Sequence, residues 1–115
     1  MLTNVHTNAQ TEIVAAGAIA GFDWDKSNRQ KCRKHGVSVA EIESLFEQPL
    51  VILPDVAHSR TENRLRAVGK TETGRHVFLI FTVRRRNGKN YIRPISARYM
   101  HRKEVAHYEK ENPNL

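Results

Sequence analysis

The chain has 115 residues, the size of one domain with a single modest hydrophobic core. It carries 19 Lys and Arg against 12 Asp and Glu, a formal net charge of +7, and its pI is near 10.0. Lysine and arginine bind polyanions by releasing condensed counterions, so this charge favours nucleic acid, although an acidic protein would also satisfy it. Cys32 is the only cysteine, which excludes an internal disulfide or a cysteine-based zinc site and fits a cytoplasmic location.

The chain divides into an N-terminal segment and one domain. We interpret residues 1–21 as a flexible extension or leader, and residues 22–115 as the domain. The apolar segment Ile13 to Ala20 follows no Lys or Arg, so a secretory signal is only a minor alternative. The segment is also too short to span a bilayer, and we expect no membrane partner.

The domain begins with a helix of unusual polarity. Asp25 is a suitable N-cap for a helix from Lys26 to His35, and Gly36 is suited to end it. This helix has almost no apolar side chains, so we expect Phe22 and Trp24 to anchor it.

A second helix and a set of strands follow. Ser38 and Glu41 form a capping box that opens an ordinary amphipathic helix, which Pro49 ends. The later predicted elements are strands at Leu50 to Leu53, Arg64 to Gly69, Val77 to Phe81 and Tyr91 to Arg98, a hairpin turn at Asn87-Gly88, and a helix from Arg102 to Lys110. Together they predict an α+β fold with two N-terminal helices, a mainly antiparallel sheet of three or four strands and a C-terminal helix.

Pro94 interrupts the last predicted strand. A proline cannot donate to the ladder, so it places this strand at an edge or distorts it. In a regular strand Ser96 and Arg98 face the same way, whereas Arg93 faces the other way unless Pro94 introduces a bulge.

The residue types limit the reactions that this protein could catalyse. The histidines lack the spacing of metal ligands, and neither a Gly-rich phosphate loop nor a nucleophile elbow is present, so we expect no metal or other cofactor. Basic and hydroxyl side chains suit RNA cleavage in which the ribose 2′-OH attacks the neighbouring phosphate. Arg and Lys would stabilise the phosphorane, and a His or Glu proton carrier would contribute about 10²–10⁴-fold.

Two motifs carry a family resemblance. Phe22-Asp23-Trp24-Asp25-Lys26 precedes Lys34-His35-Gly36, and Ile95-Ser96-Ala97-Arg98 precedes a basic helix. This order resembles the BrnT family, toxins of bacterial type II toxin–antitoxin pairs, over roughly Phe22 to Glu109. The resemblance implies a RelE-like fold and an endoribonuclease that arrests growth. It also implies a hetero-oligomer with a BrnA-like antitoxin. The toxin would then bind operator DNA only through its complex with this antitoxin.

The candidate site residues follow from these motifs and from the strand pattern. The candidate catalytic residues are Arg64, Arg98, Ser96 and His35. The candidate RNA-binding residues are Lys26, Lys34, Arg66, Arg93 and His58. Solvated charge is the alternative for Arg64 and His58, and hydrogen bonding to the last helical carbonyls is the alternative for His35. The alternative function is a non-catalytic module, a decayed toxin that binds nucleic acid or the antitoxin.

Overall fold

The computed structural model describes residues 19–55 and 63–113. Within these ranges the elements in chain order are β1 (Ile19–Phe22), α1 (Lys26–Arg33), α2 (Val39–Leu45), β2 (Leu50–Pro54), β3 (Leu65–Lys70), β4 (His76–Arg86), β5 (Lys89–Tyr99) and α3 (Arg102–Glu111). This arrangement confirms the predicted α+β class, with two helices before the main strands and one helix after them.

The sheet has the strand order β1-β5-β4-β3-β2. β1 pairs with β5 in parallel, and the other neighbours are antiparallel. The prediction of three or four strands was therefore wrong, because the described residues form a five-stranded mixed sheet. The missed strand is β1, whose short Gly- and Ala-containing sequence has little strand propensity and acquires its conformation by pairing with β5.

β1 also bears on the predicted boundary at Phe22. Ile19 pairs with Asn90 and Gly21 pairs with Tyr91, so residues 19–21 belong to the sheet. The rest of the predicted extension, residues 1–18, lies outside the described residues.

The hydrophobic core lies between one face of the sheet and helices α1 and α2. Every second residue of β3, and of the central strand β4 from Val77 to Phe81, is buried there, as the alternating pattern predicts. The core residues include Cys32, Val37, Ile42, Leu45, Ile52, Leu65, Ala67, Leu79, Phe81 and Ile92. We call this the helix-covered face of the sheet, and the other the open face.

Two local features set the register of the β4–β5 hairpin. Asn87 and Gly88 both have positive φ, 52° and 75°, which is the two-residue turn predicted at this dipeptide. Further along, Phe81 pairs with Pro94 but Ile80 pairs with Ser96, so Ile95 is an extra residue on β5. The predicted distortion at Pro94 is thus confirmed as a bulge. Pro94 also lies where β5 has no second strand neighbour, because β1 pairs with β5 only as far as Ile92, so the alternative of an edge position holds locally.

α3 covers one end of the open face. The Tyr108 ring meets the His76 ring edge to face, with centroids 5.6 Å apart. Between α3 and the sheet lies an apolar groove of about 580 Å³, lined by Val51, Leu53, Val68, Phe78 and Met100 on the sheet side. Within the described ranges, no helix has the length and apolar character needed to cross a membrane.

Candidate functional site

Three adjacent strands bring several of the candidate residues together on the open face. Arg66 of β3 pairs with Ile80 of β4, and Ile80 pairs with Ser96 of β5, so these three residues form one row across the sheet. Arg98 pairs with Phe78 in the next row. The expectation that Ser96 and Arg98 face the same way is confirmed. Arg64, two residues before Arg66, shares this side by strand periodicity.

The bulge at Ile95 changes the position of Arg93. Arg93 pairs with Thr82, two residues from Ile80 on β4, and therefore has the same facing as Ser96. Its guanidinium is nevertheless bound to acidic side chains at the β1 end of the sheet. Nη2 lies 2.8 Å from the Asp25 carboxylate, and Nη1 lies 3.6 Å from that of Asp23. These contacts offset the charge of Arg93 and direct it away from the row.

Arg98 contacts both a carboxylate of α3 and an aromatic ring of β4. Its Nη1 and Nη2 donate to the two carboxylate oxygens of Glu104 at 2.7 and 2.8 Å, and its guanidinium lies 4.8 Å from the centre of the Phe78 ring. The hydrogen bonds from Arg98, with one from the backbone N–H of His101, lower the pKa of Glu104 to about 2. Sequence reasoning missed Glu104, although its place in the first turn of α3 marks it as a capping carboxylate.

Arg66 has a donor without a partner. The Nε of Arg66 is buried and makes no hydrogen bond with any described residue. A buried, unsatisfied N–H is costly, by about 1–3 kcal/mol. If the side chain turned outward, an anionic oxygen over the row next to Ser96 would satisfy this donor, and phosphate oxygens match arginine donors well.

The Lys34-His35-Gly36 motif lies on the opposite side of the sheet from this row. Gly36 has φ +88°, the left-handed conformation predicted for the end of α1. The hydroxyl of Tyr99 donates to the Gly36 carbonyl at 3.2 Å, and Val77, the partner of Tyr99 in the sheet, is in the buried core. The structure therefore does not bring His35 or Lys34 together with Ser96 and Arg98. His35 is exposed, as is Lys34.

Lys26 lies on the same side of the sheet as the Lys34-His35-Gly36 motif, because α1 packs on the helix-covered face. Asn28 and Cys32 of α1 are buried, whereas His35, just beyond its end, is exposed. Burial raises the pKa of the Cys32 thiol to about 11. Lys26 lies at the exposed start of the helix, so it belongs to a surface separate from the row on the open face.

Asn28 has a structural role that the sequence did not reveal. Its side-chain amide donates to the carbonyls of Asp23 and Pro94, both at 2.9 Å. Its side-chain oxygen accepts from the backbone N–H of Asp25 at 2.7 Å. Asn28 therefore joins α1 to β5 at the residue before the bulge, and it replaces the strand partner that β1 no longer provides beyond Phe22.

The remaining candidate, His58, lies outside the described residues. In residues 19–55 and 63–113, no group of three or more His, Cys, Asp or Glu side chains is arranged to hold a metal ion.

A comparison with protein families completes this picture. Residues 24–104 match the model of a family described as the ribonuclease toxin, BrnT, of type II toxin–antitoxin systems. No curated protein matches the chain significantly. The matched range includes α1, all strands but β1, and the row formed by Arg66, Ile80 and Ser96. The match covers well over half of the chain, which confirms the resemblance inferred from the motifs and shows that the protein belongs to the BrnT family of ribonuclease toxins.

Proposed function

We propose that this protein is an endoribonuclease toxin that cleaves RNA by attack of a ribose 2′-OH on the adjacent phosphate. The observation that carries the proposal is the row of Arg66, Ile80 and Ser96 on the open face, with Arg98 in the next row. Neighbouring strands lie about 5 Å apart, so Arg66 and Ser96, on either side of β4, are about 10 Å apart at their backbones, and the long arginine side chain can bring its guanidinium to a phosphate next to Ser96.

The proposal gives each residue a role. The guanidinium of Arg66 binds the scissile phosphate, and its buried Nε reaches a phosphate oxygen once the side chain turns outward. Arg64 and Arg98 stabilise the charge that develops on the phosphorane, and the Ser96 hydroxyl donates to a phosphate oxygen. Since arginine supplies this positive charge, the proposed mechanism includes no metal ion. The guanidinium of Arg98 exchanges part of its contact with Glu104 for the phosphate when RNA binds.

We assign the role of proton carrier to His58 in preference to His35. The backbone N–H of Asp55 donates to the carbonyl of Arg64 at 2.8 Å, so the chain leaves and re-enters the sheet beside Arg64. His58 lies in the sequence between these two residues, whereas His35 lies across the sheet from the row. An imidazole is suited to proton transfer near neutral pH.

The partner follows from the family, since a toxin of a type II system has an antitoxin. We propose a BrnA-like antitoxin, whose complex with the toxin binds operator DNA and represses the operon. The chain has a formal charge of +7, so electrostatic steering would favour an acidic toxin-binding segment in this antitoxin. The relation of the fold to RelE and the cytoplasmic site of action are parts of the same proposal.

The test is expression of the chain alone in bacteria, with growth and RNA integrity followed over time. We expect the wild type to arrest growth and cleave RNA, and Arg98→Ala and Arg66→Ala to lose both effects. Arg102→Ala removes an exposed arginine of α3 and serves as the matched control. Circular dichroism of the purified variants verifies that each is folded.

Arg98→Lys distinguishes a bidentate phosphate contact by Arg98 from a contribution of its positive charge alone. Lysine keeps the charge but lacks the planar fork, so a bidentate phosphate contact predicts a large loss of activity in this variant. Unchanged toxicity in folded Arg66→Ala and Arg98→Ala variants would refute the assignment. Tight RNA binding by the wild type without any product would instead support the alternative, a non-catalytic nucleic-acid-binding module.

A further inference from the structure

Helix α1 presents a dense cluster of positive charge to solvent. Only Asn28 and Cys32 of this helix are buried. Its exposed cations, together with that of the C-cap residue, are Lys26, Arg29, Lys31, Arg33 and Lys34. We call these five residues the α1 basic face. α1 contains no acidic residue, and this surface lies on the opposite side of the sheet from the row of Arg66 and Ser96.

The carboxylates closest to α1 along the chain are bound to other groups. Asp25 caps the helix and pairs with Arg93. Asp23 pairs with Arg86 at 3.0 Å. Glu41 accepts from the hydroxyl of Tyr99 at 2.8 Å, and Glu43 accepts from the indole N–H of Trp24 at 2.9 Å. The positive charge of α1 is thus not offset by the acidic groups nearest to it.

This arrangement has an energetic cost. No residue of the α1 basic face forms an ion pair with any described residue. Lys26 and Arg29 are three residues apart, and Arg29 and Arg33 are four apart, so these like charges are neighbours on the helix surface. Like charges at this spacing repel each other and destabilise the helix. A bound polyanion would remove this repulsion.

We propose that the α1 basic face binds the phosphate backbone of a nucleic-acid strand, at a surface distinct from the row on the open face. Lys26, Arg29 and Arg33 lie on one side of the helix and span about 10 Å at a rise of about 1.5 Å per residue. A strand in a duplex presents one phosphate per about 3.4 Å, so this stripe faces about three phosphates.

The composition of the face favours nucleic acid over an acidic protein. Its exposed positions carry only Lys, Arg, Ser, Gln and His. A protein interface has an apolar centre with aromatic anchors and few charged residues. The exposed surface of α1 has no apolar or aromatic side chain of its own. Phosphate backbone contacts instead come from charged and polar side chains alone. Arg29 lies 5.7 Å from the centre of the Trp24 ring, which orients its guanidinium at this surface.

The experiment measures binding of the full chain to a fluorescent RNA whose riboses are 2′-O-methylated, because this probe cannot be cleaved by 2′-OH attack. The test variant is Lys26→Gln/Arg29→Gln/Arg33→Gln. The matched control, Arg102→Gln/Lys103→Gln/Lys110→Gln, removes three exposed cations of α3. Glutamine has good helix propensity, so both variants should stay folded.

We expect the α1 variant to bind at least about tenfold more weakly at moderate salt. Its plot of log affinity against log salt should be shallower by about 2, or about 0.7 for each of three lost contacts. The α3 variant should match the wild type. A DNA duplex of equal length, measured in parallel, shows whether the strand bound is RNA or DNA.

Two outcomes would overturn the proposal: equal losses in both variants, which would indicate net charge alone, or no loss in the α1 variant. If the α1 variant proves unstable by thermal unfolding, Lys31→Gln/Lys34→Gln replaces it and is predicted to reduce the salt slope by about 1.4. Cleavage of unmodified RNA is scored separately, so failure of this proposal and failure of the proposed nuclease activity remain distinguishable.

Discussion

Arg98 and Glu104 form a two-point ion pair that joins β5 to the first turn of α3. The distances from Nη1 and Nη2 to the carboxylate oxygens are 2.7 and 2.8 Å, and the same carboxylate accepts from the backbone N–H of His101 at 2.8 Å. Glu104 therefore caps its own helix while it holds the arginine proposed to bind phosphate. The position of α3 and the availability of Arg98 are consequently linked.

Glu104→Gln tests this link through the pH dependence of stability. The pKa of Glu104 is about 2 in the folded protein, below the ordinary value near 4.3 of the unfolded chain. The unfolded state therefore binds more protons between these values. The stabilisation is fully present above about pH 4.3 and is lost as the pH falls towards 2. Because the pair is about one-third exposed, we expect only about 0.5–1 kcal/mol at pH 7.

The measurement is urea unfolding of the wild type and Glu104→Gln at pH 7 and pH 2.5. Glu72→Gln, at an exposed turn position, is the control and should be neutral at both pH values. A difference between wild type and Glu104→Gln that stays the same at pH 2.5 would contradict the assigned pKa.

Asn28→Ala should be among the most destabilising single changes in the first helix. It leaves the carbonyls of Asp23 and Pro94 without their amide donor and removes an acceptor from the N–H of Asp25. We expect a loss of about 2–3 kcal/mol in the free energy of unfolding, from buried groups left unsatisfied. Gln30→Ala, at an exposed position of the same helix, should change it by less than about 0.5 kcal/mol. Equal urea midpoints for the two variants would refute this role of Asn28.

Gly36→Ala should destabilise the protein because of its backbone conformation and not because of a steric clash of the added Cβ. Gly36 has φ +88°, and an added Cβ would lie 3.7 Å from the Tyr99 ring, an ordinary contact. The left-handed conformation costs a non-glycine residue about 1–2 kcal/mol. Gly21→Ala is the control, since its Cβ would lie 3.5 Å from Tyr91 and its φ is not in that region. Thermal unfolding should show a lower midpoint for Gly36→Ala only.

The thiol of Cys32 should be unreactive in the folded protein. Its side chain is 1% exposed, and its pKa is raised by burial to about 11, so at pH 8 roughly one thiol in a thousand is the reactive thiolate. Alkylation by iodoacetamide should therefore be slow in buffer and rapid in 8 M urea, as followed by mass spectrometry. Labelling at the same rate under both conditions would show that the contact of α1 with the core is not stable.

Local patterns in the sequence were sufficient to predict several features of this protein. The capping residues of the first two helices, the turn at Asn87-Gly88 and the shared facing of Ser96 and Arg98 depend on neighbours within a few residues. Such short-range rules follow from backbone geometry and side-chain hydrogen bonding, so they can be read from the chain alone. The motifs that indicated the BrnT family are likewise contiguous.

Only the tertiary structure decided which distant residues meet. β1 is a strand because it pairs with β5, the bulge at Ile95 sets the facing of Arg93, and the amide of Asn28 finds a carbonyl 66 positions away. The same packing places His35 and Ser96 on opposite sides of one sheet. Side-chain type and spacing specify the local conformation and the chemistry available, whereas the register and layering of the sheet determine which of those groups can act on one phosphate.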